Sequence, residues 1–211
     1  MRLCKIWKGG TKDMLIKEIT EMVHENAVQH GWWEEPRKLA TTVALIHSEW
    51  SEALEEARAG RPLIYKLWIG DENEEPRIVT PETEEYAACG MKPEGVAVEL
   101  MDGVIRIFDL FGAMGYEVED PDSGESATLE SIYFPDDQEA QELVPEDAGE
   151  LVTSLHLATS DFIREDDPQN LLIAAGMAMI WIRKHGIDPL KVLMEKHEYN
   201  KGRPYKHGKK F

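Results

Sequence analysis

Along residues 13–30, DMLIKEITEMVHENAVQH, the apolar side chains Leu15, Ile19, Met22, Val23 and Ala27 recur at helical spacing, and Gly31 offers a stop. The pattern resumes after WWEEPRKLA, where Pro36 sits near a helix start. Over 37–59 it places Leu39, Val43, Ile46, Trp50, Ala53 and Leu54 at apolar positions, with Gly60 as the residue past the end. A third helix is predicted over 94–114, apolar at Val98, Met101, Ile105, Phe108 and Phe111 and ended by Gly115. Two more follow at 149–164 and 168–185, and the second, apolar all round, is expected to be central. A last helix starts from 188 with DPLKVLMEKHEYN and runs into the basic tail KGRPYKHGKKF.

Between the second and third helices the period changes. PLIYKLWIG and PRIVT have strand composition and flank the acidic turn DENEE, so a small β-hairpin is predicted. Residues 117–148 are acidic and rich in Pro, Ser and Gly, which predicts a long loop. The expected fold is all-α, an antiparallel helix bundle with a small β-hairpin excursion.

Composition narrows the function. The chain has 211 residues, 42% of them hydrophobic, which suits one domain over 1–211 with a core of its own. Its net charge of −18 repels nucleic acid and suits a protein that gathers cations, or one that is simply very soluble. Cys4 and Cys89 lack the spacing of a zinc site or a disulfide framework and fit a reducing compartment. MRLCKIWKGGTKDML carries no apolar signal core, and the longest apolar run, LLIAAGMAMIWI at 171–182, reads as a buried helix. A cytoplasmic protein without a membrane partner is expected.

Candidate chemistry lies in two acidic pairs. Glu49 and Glu52 in LIHSEWSEALEEARAG are three apart, so a helix projects both from one face. Glu99 and Asp102 in ELMD repeat the spacing fifty residues later. Helices packed side by side would bring four carboxylates together, a costly arrangement that a hard divalent cation such as Mg²⁺ relieves. Glu55 and Glu56 fall on other arcs and read as solvated or supporting. Opposite in sign are Lys196, Asn200 and Arg203, at i, i+4 and i+7, followed by Tyr205, Lys206, His207, Lys209 and Lys210. A basic tail on so acidic a chain invites an anionic ligand, although cations also complement the end of a helix.

With these elements together, the segments HGWWEEPRKLATTVALIHSEWSEALEEARAG, KPEGVAVELMDGVIRIFDLFGAMG and KHEYNKGRPYKHGKKF resemble the MazG-like all-α nucleoside triphosphate pyrophosphohydrolases, especially the phage-type, single-domain members. The resemblance covers roughly residues 18–116 and 186–211. It implies cleavage of (deoxy)nucleoside triphosphates between the α and β phosphorus atoms, giving monophosphate and pyrophosphate. It implies Mg²⁺, with Mn²⁺ as a substitute, on Glu49, Glu52, Glu99 and Asp102, and a water activated by Glu49 or Glu52. Lys196, Asn200 and Arg203 match its phosphate-contacting positions, with Tyr205, His207 and Lys209 beside them. Gly103 departs from the family's small aliphatic residue at that position, at about 1 kcal/mol of helix propensity relative to Ala.

A second departure is the insertion at 117–185. LVTSLHLATSDFIRE echoes TVALIHSEWSEALEE, with His156 at the place of His47, Ala158 at that of Glu49 and Asp161 at that of Glu52. Asn170 and Ile173 likewise stand at the positions of Glu99 and Asp102. The segment reads either as a degenerate repeat of the bundle half or as two ordinary helices. The expected assembly is accordingly a homodimer, or a pseudo-dimer within one chain. Trp32 and Trp33 are the candidates for a base pocket. Two other functions stay open: hydrolysis of an alarmone such as guanosine tetraphosphate, and a catalytically silent nucleotide-binding regulator.

Overall fold

In the computed structural model, residues 14–68, 75–87, 91–120, 123–133 and 142–208 are described. They form α1 (Ile16–Gln29), α2 (Leu39–Arg58), β1 (Tyr65–Trp68), β2 (Arg77–Val79), β3 (Pro93–Glu94), α3 (Val96–Met114), α4 (Leu129–Tyr133), α5 (Ala148–Glu165), α6 (Gln169–Lys184) and α7 (Pro189–Lys201). The fold is therefore mostly helical with a small β excursion, as the periodicity predicts.

Helix ends follow the chemistry of their residues. Gly31, Gly60 and Gly115 take left-handed φ values of 79°, 64° and 65° just past α1, α2 and α3. Asp147 caps α5 by accepting from the Glu150 amide, and Asp188 caps α7 ahead of Pro189.

α2 and α3 pack as one pair and α5 and α6 as another, with α2 against α5 and α3 against α6. The core runs through Ile46, Trp50, Leu100, Phe108, Phe111, Leu155, Phe162, Ala174 and Met179. α6 is deeply buried, as its composition predicts, yet α3 takes the central place. It touches α1, α2, α6, α7 and β3, whereas α6 leaves Ile173 53% exposed.

Between α2 and α5, His47 Nδ1 lies 2.7 Å from His156 Nδ1 and Trp50 Nε1 donates to Thr159 Oγ1 at 3.0 Å. Both contacts join residues 109 positions apart, the offset at which the two segments echo each other.

Two short elements escape the sequence pattern. The predicted hairpin forms, with Leu67 opposite Ile78, but β3 pairs with the other edge of β1 and makes a three-stranded sheet. Its two residues are too few to alternate. Within the predicted 117–148 loop, Leu129 is buried and α4 packs on α6, five residues being too short to show a helical period. The acidic turn DENEE lies mostly outside the described residues.

Gly103 has a packing reason. A Cβ there would stand 2.2 Å from the Trp50 ring, which is fully buried and hydrogen-bonded to Thr159. Gly103→Ala should gain about 1 kcal/mol of helix propensity but lose about 1–3 kcal/mol to overpacking. Urea denaturation should show a net loss of stability; a stabilised variant would contradict this account.

Candidate metal and anion site

Packing α2 on α3 brings three of the four predicted ligands together. One carboxylate oxygen from each of Glu49, Glu52 and Glu99 lies within 4.8 Å of the others. Glu49 and Glu99 are only 5% and 4% exposed, while Glu52 stays in contact with solvent. Burial pushes the Glu99 carboxyl up to about 8, with the charges of Asp102 and Glu49 adding to the rise and Lys196 and Lys92 opposing it. Glu49 is raised as well, by burial first and in spite of Arg106.

Two cations answer this charge. Arg106 Nε donates to Glu49 Oε1 at 2.6 Å and ties α3 to α2. Lys196 Nζ, from α7, sits 2.8 Å from Asp102 Oδ2. Glu52 and Glu99 make no hydrogen bond or ion pair with any described residue. Three clustered oxygen donors, two buried and two without a partner, suit a hard divalent cation, so a metal ion fits here.

Asp102 and Lys196 correct the expected roles. Asp102 stands outside the group of three because its carboxylate is held by Lys196. Lys196, expected on phosphate, is 1% exposed and committed to that ion pair. Glu55 pairs with Arg58, and Glu56 with Arg61 and the Tyr65 hydroxyl, so both keep supporting places away from the cluster.

Next to Asp102 opens a cavity of about 100 Å³ between α1, α3 and α7. Arg37, Arg106 and Arg203 line it together with Asn26, Asn200 and Trp32. Asn200 Oδ1 is buried there with no hydrogen-bond partner among the described residues, and the Arg203 guanidinium pairs with none of them either. Asn200 and Arg203 are thus brought to one cavity with Arg37 and Arg106.

Trp32 and Trp33 part company. Trp32 lines this cavity, whereas the Trp33 indole donates to Asp109 at 2.8 Å and borders a separate apolar cavity of about 290 Å³ with Leu39, Leu110 and Met114. Arg37 lies 5.4 Å from the centroids of both rings.

The tail closes the cavity. His30 bonds the Arg203 carbonyl through Nε2 at 3.0 Å, and the Lys206 amide donates to the His30 carbonyl at 3.0 Å. Tyr205, expected beside the phosphates, instead lays its ring against Gly31 and donates its hydroxyl to Glu34. The His207 side chain and Lys209 lie outside the described residues.

Arg106 is the site residue that the sequence reading misses. Its signal was the four-residue spacing from Asp102, which sets it one turn along the acidic face of α3. Arg37 and Asn26 carry no such signal, since only the fold brings them to the cavity.

Glu99 has an ordinary value of 4.5 and a folded value of about 8, so the folded chain holds this proton more tightly than the unfolded one. Stability without metal should therefore be greatest at low pH from this group, fall as pH rises from about 4.5 toward 8, and level off above. In urea titrations across that range Glu99→Gln should flatten the fall; an unchanged profile would remove Glu99 as its source. Comparison of the chain with protein-family models, curated proteins and solved structures found no match.

Proposed function

We propose that the chain is a Mg²⁺-dependent nucleoside triphosphate pyrophosphohydrolase, releasing monophosphate and pyrophosphate. The observation that carries this reading is the juxtaposition of a three-carboxylate cluster with a cavity lined by three arginines, two amides and the carboxylates Asp102 and Asp109, the two joined by Arg106, which bonds Glu49 of the cluster and lines the cavity. An acidic cluster alone fits any cation, and a basic cavity alone fits any anion. Side by side they suit an anion that carries its own divalent ion, as a nucleoside triphosphate does.

Glu49, Glu52 and Glu99 would hold the ion, which supplies neutralisation of phosphoryl charge and a lowered pKa for water. Arg106 opposes the burial of Glu49's charge and orients it across the helix seam. Glu52, exposed and with no hydrogen bond or ion pair to any described residue, is the group free to align the attacking water, ahead of Glu49, whose oxygen is committed to Arg106. Arg203 and Arg37 meet the negative charge of the phosphate chain, while Trp32, Asn26 and Asn200 offer a ring face and hydrogen-bonding edges for the base.

The test is a substrate panel of each ribo- and deoxyribonucleoside triphosphate and guanosine tetraphosphate with Mg²⁺, products resolved by ion exchange. Monophosphate plus pyrophosphate is expected, and orthophosphate as the sole inorganic product would sink α–β cleavage. Binding without turnover would favour a silent regulator. Glu52→Gln should lower kcat by about 10²–10⁴-fold with the fold retained; full activity would exclude it as the water-aligning group.

Asp102→Asn should act differently, since it strands Lys196 as a buried charge without its counter-ion. A loss of about 3–5 kcal/mol of folding stability is expected, read by denaturant titration.

A further inference from the structure

We propose that the ammonium group of Lys196 is a built-in second cation of the acidic site, so that the chain holds one resident divalent ion rather than two. This builds on the metal reading above and assigns Lys196 to the resting site rather than to substrate. Lys196 enters from α7, outside the α2–α3 pair, with 1% of its surface exposed. Its Nζ lies 2.8 Å from Asp102 Oδ2 and 3.5 Å from the Pro93 carbonyl. Burial pulls its pKa down, but Asp102 and Glu99 more than offset this and hold it above its ordinary value. The ammonium therefore serves the Glu-x-x-Asp pair of α3, in the place where a second metal ion would have to gather Asp102.

Charge counting points the same way. With all four carboxylates ionised, Arg106 neutralises one and Lys196 another. Glu52 and Glu99 remain, and they with Glu49 make up the cluster of three. The residual charge equals that of a single divalent ion. A surface lysine would be too hydrated and mobile to replace a metal, but this one is desolvated and fixed by its partner. Lys196 is paired with Asp102, which lines the cavity, and is not itself among the lining residues.

Mn²⁺ titration of the nucleotide-free chain, followed by the EPR signal of free Mn²⁺ and by calorimetry, should give one equivalent per chain. Two equivalents would overturn the proposal and leave the metal reading intact; none at millimolar concentration would overturn both. Lys196→Met, checked for its fold by circular dichroism, should raise the count from one to two. A folded Lys196→Met chain that still binds a single ion would overturn the assignment. Since Lys196→Met leaves Asp102 without its partner and is at risk of unfolding, the charge-balanced pair Lys196→Met with Asp102→Asn provides the second check. It should return the count to one, and a count of two there would place the extra ion away from Asp102.

Discussion

Carboxylates set on both sides of one helix seam repel one another, and the rest of the architecture is arranged around that repulsion. Two unit charges 4 Å apart differ by about 4 kcal/mol from isolation at the effective dielectric of a protein surface, and burial of Glu49 and Glu99 adds to this. Arg106 answers from within α3, across to α2. Lys196 must come from elsewhere, and it arrives on α7. That helix is held in turn by the sheet: Lys66 of β1 lies 2.6 Å from Glu195, whose other oxygen accepts from the Tyr86 hydroxyl at 3.0 Å. The small β excursion thus fixes the helix that delivers the second cation. Trp50, next to Glu49 on α2 and wedged against Gly103, which lies one turn from Glu99 on α3, sets how closely α2 and α3 approach beside the site.

Long periodic segments were legible in the sequence because each helix buries a stripe wide enough to repeat several times. β3 and α4 were not, having two and five residues in which no period can show. The acidic pairs were readable too, since three-residue spacing on a helix needs no tertiary knowledge to put both members on one face. What the spacing does not say is which carboxylate faces a metal and which a lysine. Asp102 was expected in the first role and takes the second, because its partner lies ninety-four positions away on another helix. The two tryptophans show the same limit at closer range: adjacent in sequence, they point into different cavities.

The contacts of His47 with His156 and of Trp50 with Thr159 bear on how α2 and α5 are related. Positions that correspond in the two echoing stretches meet face to face, which is what residues on a two-fold axis do in a symmetric pair. At the corresponding positions the acidic residues have become Ala158, Asn170 and Ile173 in three of the four places, leaving only Asp161. The α5–α6 pair therefore buttresses α2 and α3 and leaves the acidic chemistry to them.

The dependence on α7 also has a consequence for the order in which the chain can be made. Residues 39–114 carry all four carboxylates but only Arg106 of the two cations, and that half emerges first during synthesis. Lys196, Asn200 and Arg203 follow near the end, together with the Tyr205 ring that seats on Gly31. Until they dock, the α2–α3 seam lacks a charge it needs and the cavity lacks a wall. The site is finished only after α7 has been made, so a nascent chain that stops short of it would have α2 and α3 without the means to hold their acidic edge closed.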